Sequence, residues 1–408
     1  MIFKMLSARK ARYGWLVAEL TIVALATWAL ADPIIIQSAI EWQDKGFDEH
    51  RLYRIELKSH PEISPHFVQE EEGQWRDDQW RLLRMVRDYP GVASATFQGE
   101  TGPFCPVTTV YNIHCDTLST SVYGIDFMPR SDFFTTFRFA ENSRPSNEDI
   151  DRMAFEDGSS VLSAETFPGR SGTGLTDTLS GIKVAATTGM VRTCPGVPAV
   201  AVWFLPKQDL KAQAIVFRLD NHTDEQDFLP AFTDWAKKKL KAGNLYVRNV
   251  QPYTAFIDDS YAWLEPFAQI RLVLGAFFLF CLFLGVTGTF WMQTDSRREE
   301  IGIMKSFGAT SAHIMRILIT EGIILATIAV MAGCFIYLQY ALKEGLYISD
   351  ANLRELLSGR YWFEDFATHF AIVSFITWAI VVIVVCIGIY IPASRISRIT
   401  PTDALRDE

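Results

Sequence analysis

The chain has 408 residues, of which 49% are hydrophobic and 13% aromatic, and its formal net charge is −9 at pH 7. This composition is too apolar for an ordinary soluble domain and too charged for a protein made only of membrane spans. The length allows one folded domain in addition to a membrane part.

The first predicted element is a membrane helix at residues 15–40, which follows a leading segment at 1–14. Glu19 and Asp32 interrupt its apolar run, but the run is long enough to cross about 30 Å of hydrocarbon. A cleaved signal peptide would have a shorter apolar core followed by small residues. Bulky side chains follow here instead, at 33–36, so we expect an uncleaved membrane helix.

A large folded domain is predicted at residues 41–264. Its pattern of apolar residues changes from the period of a strand to that of a helix and back, and does so twice. The predicted elements are a strand at 52–58, a helix at 69–89, a strand at 92–98, then a strand at 214–219, a helix at 224–241 and a strand at 245–250. Two β-α-β units that flank an insert indicate an α+β domain with a split, ferredoxin-like core.

The insert, at about 100–206, is rich in Thr, Gly and Pro. Short runs of residues that favour strands lie at 107–111, 133–139, 181–188 and 198–204. These runs predict a mainly β subdomain.

Three cysteines lie in this domain, at Cys105, Cys115 and Cys194. An oxidising compartment would allow a disulfide. The spacing of Cys105 and Cys115 suits a hairpin and favours that pair, although three cysteines permit three pairings. The alternative is a metal site that includes His114 and Cys115, but no paired ligand spacing accompanies them.

Three more membrane helices are predicted after this domain. Each contains at least 20 consecutive residues without a charged side chain, enough to cross a bilayer. The predicted boundaries are a helix at 265–292, a connecting segment at 293–316, a helix at 317–342, a short loop at 343–366, a helix at 367–392 and a tail at 393–408.

The basic residues predict the orientation of the chain. The leading segment has four basic residues and no acidic one, so it should stay in the cytoplasm. Four spans then place both termini and segment 293–316 in the cytoplasm, and residues 41–264 and the short loop on the other side. The predicted fold class is a membrane protein with four transmembrane α-helices and a large extracytoplasmic α+β domain between helices 1 and 2.

Segment 293–316 contains an amphipathic helix with one misplaced charge. On a helical wheel its apolar arc contains Ile301, Ile303, Met304, Phe307 and Gly308. The other arc contains Arg298, Glu299, Gly302, Lys305 and Ser306. Glu300 falls inside the apolar arc. A helix docked in a groove of another protein could pair this carboxylate with a basic residue; the alternative is an interfacial helix in which Glu300 pairs with Arg297.

The residues around this helix carry two motifs. The first reads R-R-E-E-I-G-I-x-K-x-x-G-A-T, and the next span opens with I-x-x-x-E-G. The matching residues are Arg298, Glu300, Ile301, Gly302, Lys305, Gly308, Ala309 and Glu321. The second motif, P-A-x-R-x-x-x-I-x-P-x-x-A-L-R, begins at Pro392. Together they resemble the signature of the FtsX/MacB superfamily of ABC-transporter permeases.

The resemblance is sharp over residues 265–408 and looser before them. Residues 158–169 resemble a segment of MacB-type periplasmic domains, and the doubled β-α-β unit resembles their porter-like subdomain. Met304 and Phe307 depart from the family pattern, in which arginine or lysine and leucine are commoner, so the partner's groove is expected to differ.

The resemblance implies a permease subunit in the bacterial inner membrane, with its large domain in the periplasm. It implies a cytoplasmic ABC ATP-binding subunit and a second permease protomer, identical or paralogous, as partners, in contact with membrane lipids. The ATPase-coupling interface would contain Arg298, Glu300, Ile301, Gly302, Met304, Lys305, Phe307 and Gly308. Closure of the ATPase subunits would push on this helix and move the periplasmic domain, which is mechanotransmission.

The resemblance leaves the cargo open. A MacB-type transporter would export drugs, toxins or peptides through a periplasmic adaptor and an outer-membrane duct. A lipoprotein-releasing transporter or an FtsX-like regulator of a cell-wall hydrolase are the alternatives; the size of the periplasmic domain favours a transporter. We expect no nucleic-acid partner.

The sequence itself lacks the motifs of an enzyme. An ATPase of this class needs a glycine-rich loop that ends in Gly-Lys-Ser or Gly-Lys-Thr, and none occurs. ATP and Mg²⁺ are therefore expected on the partner chain, with no cofactor bound directly. Glu19, Asp32 and Glu321 are intramembrane carboxylates and so candidates for function, but no pattern of catalytic residues accompanies them.

Overall fold

The computed structural model describes residues 10–116, 118–140, 145–155, 158–164, 166–167, 173–295, 298–347 and 361–397. The chain divides into two compact units. The helical unit comprises residues 1–38, 265–348 and 359–408, and the sheet unit comprises residues 39–264 and 349–358.

The helices of the described residues are α1 (Lys10–Glu41), α2 (Gln74–Arg87), α3 (Phe133–Phe137), α4 (Asn147–Asp151), α5 (Glu225–Lys239), α6 (Tyr253–Tyr261), α7 (Glu265–Asp295), α8 (Arg298–Ser306), α9 (Ser311–Glu344) and α10 (Phe366–Ile396). The strands are β1 (Leu52–Ser59), β2 (Val92–Gln98), β3 (Thr109–Cys115), β4 (Leu118–Phe127), β5 (Ser160–Ser163), β6 (Val184–Thr188), β7 (Val202–Pro206), β8 (Ala214–Leu219), β9 (Lys241–Ala242) and β10 (Leu245–Pro252). A 3₁₀ turn at Ala262–Leu264 joins α6 to α7.

Four stretches of the described helices are long and apolar enough to cross a membrane. They are Gly14–Glu41, Tyr253–Met292, Ser311–Glu344 and Phe366–Ile396. The shortest has 28 residues, about 42 Å at 1.5 Å per residue. The predicted fold class, a four-span membrane protein with a large α+β domain between the first two spans, is confirmed.

Glycines bring the helices of the helical unit close together. A Cβ at Gly333 of α9 would lie 3.2 Å from the Cβ of Ala24 in α1. A Cβ at Gly388 of α10 would lie 3.5 Å from the Phe283 carbonyl oxygen in α7. Small residues at such points let helix backbones approach in a bilayer, where no hydrophobic force drives helices together.

The first sheet of the sheet unit has the strand order β2-β8-β1-β10-β9, and all its pairings are antiparallel. Without the short β9, this is the order of a ferredoxin-like fold built from two β-α-β units, β1-α2-β2 and β8-α5-β10. The predicted split core is therefore confirmed. Buried side chains of the helices α2 and α5 form one core with this sheet, among them Leu82, Leu83, Val86, Phe228 and Phe232.

The insert forms a second sheet, with the order β3-β4-β7-β5-β6 and mixed parallel and antiparallel pairs. The strand predicted at 133–139 is wrong, because Phe133–Phe137 is the short helix α3. Its first amides are bound by a distant side chain: Phe134 N and Thr135 N donate to the Asp151 carboxylate, at 3.1 and 2.7 Å. The apolar run could not reveal a cap that lies 16 residues further along the chain.

The favoured disulfide is absent from the structure, in which Cys105 and Cys115 are both buried thiols. Residues 109–115 form one straight strand, and the hairpin turn comes after Cys115, which pairs with Leu118. The Cys105 Sγ instead accepts a hydrogen bond from Gln98 Nε2 at 3.2 Å. The sequence spacing suited a hairpin, but the turn lies outside that spacing.

Candidate functional site

The turn after α8 fixes this helix against α9. Gly308 has a φ of +90°, its N–H donates to Lys305 O at 2.9 Å, and Ala309 N–H donates to Met304 O at 3.0 Å. These two bonds form a Schellman motif, which favours glycine at the left-handed position. The Thr310 side chain then caps α9 by accepting from His313 N at 3.2 Å. The backbone groups at the end of α8 and at the start of α9 are thus hydrogen-bonded within a few residues. The two helices are therefore joined by a short, ordered turn.

One side of α8 packs into the helical unit. Ile301 is 6% exposed and belongs to the core of this unit, and Gly302 is buried beside it. The core residues that share this cluster at the ends of α9 and α10 are Ile314, Leu318, Ala393 and Ile396. Ile301 therefore anchors α8 to the same ends of two spans.

The opposite side of α8 is an exposed, mainly apolar surface that contains one carboxylate. Ile303 is 50% exposed, Phe307 is 87% exposed, and Glu300 is exposed as well. Their spacing of three and four residues places them on one face, which we call the 300–303–307 face. Met304 and Lys305 are half-buried, and Gly308 is exposed. Arg298 begins the helix, and its side chain lies outside what the structure describes.

The second sequence motif lies beside the first. The Arg395 guanidinium lies 4.9 Å from the ring centroid of Trp291, which joins the end of α10 to that of α7. The Ser311 hydroxyl donates to Ser397 O and joins the start of α9 to the end of α10. The rest of this motif, from residue 398 onward, lies outside the described residues.

Two of the three predicted intramembrane carboxylates lie among packed helices. Glu321 is 6% exposed and lies in α9 next to Gly322. Glu19 is half-buried in α1, and its carboxylate lies so close to Gly285 of α7 that a Cβ there would overlap Glu19 Oε1. Both carboxylates therefore lie within the membrane spans and are packed against neighbouring parts of the protein.

The third carboxylate has a partner that the sequence did not reveal. Asp32 and His369 are each 1% exposed, and Asp32 Oδ1 lies 2.6 Å from His369 Nε2. His369 immediately precedes the uncharged run of the last span, and this position was the signal that could have identified it. Asp32 and His369 are 337 residues apart, so their pairing had no local signature.

The helices and motifs just described match a known family. Residues 272–401 match the family model for the FtsX-like permease C-terminal domain. This part of the chain is an FtsX-like permease C-terminal domain.

Two further comparisons concern the whole chain. A comparison with curated protein sequences finds no match. Among solved structures, the periplasmic region of MacB from Actinobacillus actinomycetemcomitans is similar, with 10% identity and a TM-score of 0.31 over 53% of this chain and 95% of that chain. A likeness of this size does not by itself establish a shared fold.

In the sheet unit, two buried arginines hold the segment that follows the first span. Arg192, 3% exposed, donates from Nη1 to the carbonyl oxygens of Glu41 and Gln43, at 3.5 and 3.4 Å. A cation is favoured at this point because the carbonyl end of a helix carries partial negative charge. Arg192 lies in the connection between β6 and β7, so this connection contacts the last residue of α1.

Arg218 of β8 holds the next residues of the same segment. It is 2% exposed and donates to Asp48 Oδ2 at 2.9 Å, to His50 O at 2.6 Å and to Thr136 O at 2.8 Å. Burial lowers the pKa of its guanidinium to about 10, and the negative charge of Asp48 partly opposes this decrease. Sequence reasoning missed Arg218, although an arginine inside the apolar run of β8 was a visible signal.

An aromatic contact joins the beginning and the end of the sheet unit. Phe47 follows the first span, Tyr253 begins α6, and their ring centroids are 6.0 Å apart at an interplanar angle of 84°. Phe104 and Phe137 of the insert also contact Phe47. We call Phe47, Tyr253, Arg192 and Arg218 together the junction, since they connect both chain entries of the sheet unit to its two sheets.

Two observations concern metal binding and cysteine reactivity. They contain no group of three or more His, Cys, Asp or Glu side chains arranged to hold a metal ion. Burial raises the pKa of the Cys105 thiol to about 12, which makes it a poor nucleophile at neutral pH.

Proposed function

We propose that this chain is the permease subunit of a MacB-type ABC transporter, located in the bacterial inner membrane with both termini in the cytoplasm. A separate cytoplasmic ABC subunit would bind and hydrolyse ATP with Mg²⁺, and a second permease protomer would complete the complex. The observation that carries the proposal is the 300–303–307 face. Exposed apolar side chains around a carboxylate are suited to a groove with a basic residue in it.

The anchoring of α8 supports a mechanical role for this face. Ile301 and the turn at Gly308 fix α8 to α9 and α10, so a force on the exposed face would be passed to the spans rather than absorbed by a loop. At the other end of the spans, the junction connects the segment after α1 and the start of α6 to both sheets. Movement of the spans would then move the periplasmic domain, and the proposed outcome is export of drugs, toxins or peptides with an adaptor and an outer-membrane duct.

The proposal is tested by co-purification of the full-length protein, expressed in its host, from mild detergent. Wild type is compared with Glu300→Arg and Phe307→Ser, and bound chains and ATPase activity are measured. We expect a nucleotide-binding subunit with wild type and at least a tenfold loss of it in each variant, because one repels the basic partner and the other removes a large apolar contact. The control is Glu148→Arg, which makes the same charge change at an exposed carboxylate of the sheet unit.

An eluate of wild type without any ATPase would overturn the permease proposal. Retention of the ATPase by both α8 variants would show that it binds elsewhere. If the ATPase is present, its companions distinguish the alternatives: an adaptor supports efflux, an extracted lipoprotein supports lipoprotein release, and a cell-wall hydrolase supports an FtsX-like regulator.

A further inference from the structure

The buried pair of Asp32 and His369 is part of a closed set of hydrogen bonds. Asp32 Oδ1 lies 2.6 Å from His369 Nε2, and His369 Nδ1 lies 2.9 Å from the carbonyl oxygen of Phe363. The other carboxylate oxygen, Asp32 Oδ2, accepts from the backbone N–H of Tyr347 at 3.3 Å. Every polar atom of the two side chains therefore has a partner.

These partners determine how many protons the pair holds. A carbonyl oxygen only accepts, so His369 Nδ1 must carry a hydrogen to bond Phe363. Asp32 Oδ2 already accepts from Tyr347, so the remaining contact is between Asp32 Oδ1 and His369 Nε2. At 2.6 Å these two atoms need one proton between them, whether it is assigned to the acid or to the ring. With this proton the pair is neutral overall, and without it the pair has one negative charge.

The surroundings make that negative charge costly. Both side chains are 1% exposed, and a buried charge without a counter-ion is strongly disfavoured at membrane depth. Among the described residues, Asp32 and His369 form an ion pair only with each other. The ring of Trp362 lies 5.9 Å from that of His369, and so adds an apolar wall.

Other titratable groups lie on the elements that neighbour the pair. Tyr337 of α9 interacts electrostatically with Asp32. The Arg271 guanidinium of α7 lies 5.6 Å from the ring centroid of Tyr347, so it is near the residue whose amide bonds Asp32. At the start of α10, Asp365 is exposed and accepts from Thr368 N at 2.8 Å. Glu364 precedes it and makes an interaction of its own. On α9, Lys343 pairs with Glu344 at 3.6 Å.

The pair connects elements that are distant in the sequence. Asp32 belongs to α1 and directly precedes Pro33, which lacks an amide hydrogen and so interrupts the hydrogen bonding of this helix. His369 lies in the first turn of α10. Tyr347 and Phe363 lie on the two sides of the stretch between α9 and α10. A weaker link, from Trp28 Nε1 to Ser374 Oγ at 3.1 Å, joins α1 and α10 one turn deeper and contains no titratable group.

We propose that Asp32 and His369 form a proton-binding site that fastens the first span to the fourth. When the shared proton is bound, the carboxylate and the ring attract each other and hold α1, α10 and the backbone at Tyr347 together. When the proton leaves at alkaline pH, Asp32 Oδ1 faces the lone pair of His369 Nε2, and the contact becomes repulsive. Proton occupancy thus determines how firmly the last part of α1 is joined to α10.

The substitution Asp32→Asn separates hydrogen bonding from titration. An asparagine amide can donate to His369 Nε2 and accept from Tyr347 N, so it preserves both contacts of Asp32 without a shared proton. Asp32→Ala removes both contacts. Asp365→Asn is the matched control, because it makes the same change at an exposed carboxylate four residues from His369 and asparagine remains a good helix cap.

The experiment is hydrogen–deuterium exchange of the full-length protein in lipid nanodiscs, at several pH values from about 6 to 10. Peptides that contain Tyr347 and the end of α1 are compared between variants at each pH, so the intrinsic pH dependence of exchange cancels. At low pH we expect wild type and Asp32→Asn to exchange at the same rate. At high pH we expect wild type to exchange at least several-fold faster than Asp32→Asn. Asp365→Asn should follow wild type, and Asp32→Ala should exchange fast at every pH.

Wild type and Asp32→Asn with the same exchange at every pH would overturn the proposal, because the shared proton would then have no effect on this contact. So would protection in Asp32→Ala equal to that in wild type. The comparison of wild type with Asp32→Asn decides the matter even if the alanine variant does not fold. The experiment needs no ATPase subunit, so its outcome is independent of the proposed transport function.

Discussion

At the scale of residues, burial separates side chains of the same chemical type into different roles. Ile301 and Ile303 are two positions apart on α8, yet the first is 6% exposed and the second 50%. The helical wheel grouped both on one apolar arc, because periodicity gives the relative direction of side chains and not the direction of the partner. The structure resolves the arc into an anchor, Ile301, and a face that contains Glu300, Ile303 and Phe307.

Burial also makes a prediction for Cys105. Desolvation raises the pKa of this thiol to about 12, whereas the pKa of a thiol in an unfolded chain is about 8.5. The folded state therefore keeps a proton that the unfolded state releases, and this group makes the protein less stable as pH rises from about 8.5 towards 12. We expect Cys105 to resist iodoacetamide at pH of about 8.5 until denaturant unfolds the sheet unit.

Peptide mass spectrometry after timed alkylation measures this reactivity. Cys194 is the internal comparison, because it lies in the same unit and is only half-buried. Alkylation of Cys105 at the rate of Cys194 in the folded protein would contradict the burial of this thiol.

At the scale of elements, the sequence predicted what depends on local pattern. The spans follow from long uncharged runs, and the core strands follow from alternation; the predicted strands 92–98 and 214–219 coincide with β2 and β8. Helix α3 was missed because its cap, Asp151, is remote, and the Asp32–His369 pair was missed because its members belong to the first and last spans. The exposed face of α8 was identified only as an arc, since its orientation depends on packing against α9 and α10.

The loop after α1 makes a prediction about the junction. Gly46 has a φ of +77°, and a Cβ there would overlap the carbonyl of Met190, which follows β6. Alanine would meet both a strained backbone and a clash with backbone atoms that have no rotamer to change. We expect Gly46→Ala to lower the free energy of unfolding by about 2 to 4 kcal/mol.

Gly73→Ala is the matched control for this substitution. Gly73 also has a positive φ, of +87°, but a Cβ there would meet nothing within 4 Å. Gly73→Ala should therefore lower the free energy of unfolding by only about 1 to 2 kcal/mol, which is the backbone strain alone. Denaturant unfolding of the full-length protein, followed by a signal from the sheet unit, measures the difference. Equal losses in the two variants would mean that the close approach to Met190 does not matter.

At the scale of the whole molecule, the aromatic residues of the spans agree with a bilayer. Trp15 and Trp42 are 77% and 92% exposed and delimit the first span; Trp263 and Trp291 are 63% and 42% exposed and delimit the second. Each pair is separated by about 40 Å at the helical rise, which is the thickness of a bilayer with its headgroups. Tryptophan is enriched at these two levels, so the first two spans are matched to a membrane at both ends.

The last prediction concerns transmission of movement, and it depends on the proposed transporter function. If the junction carries motion from the spans, weakening it should separate ATP hydrolysis from movement of the periplasmic domain. Arg192→Met keeps the length of the side chain, preserves much of its packing against Phe104, and removes the bonds to Glu41 and Gln43. Arg248→Met is the control, because Arg248 is 63% exposed and pairs only with Glu56 among the described residues.

The measurement uses the permease reconstituted with its ATPase subunit, with and without ATP and vanadate. Hydrogen exchange of peptides from β6 and β7 reports movement of the second sheet, and phosphate release reports hydrolysis. We expect Arg192→Met to keep at least half of the ATPase activity while the nucleotide-dependent change in exchange falls several-fold, since the β6–β7 connection has lost its side-chain bonds to Glu41 and Gln43. If exchange still responds to nucleotide as in wild type, motion reaches the second sheet without Arg192. If the variant loses both ATPase activity and the nucleotide-dependent change in exchange, the arginine is needed for assembly rather than for transmission.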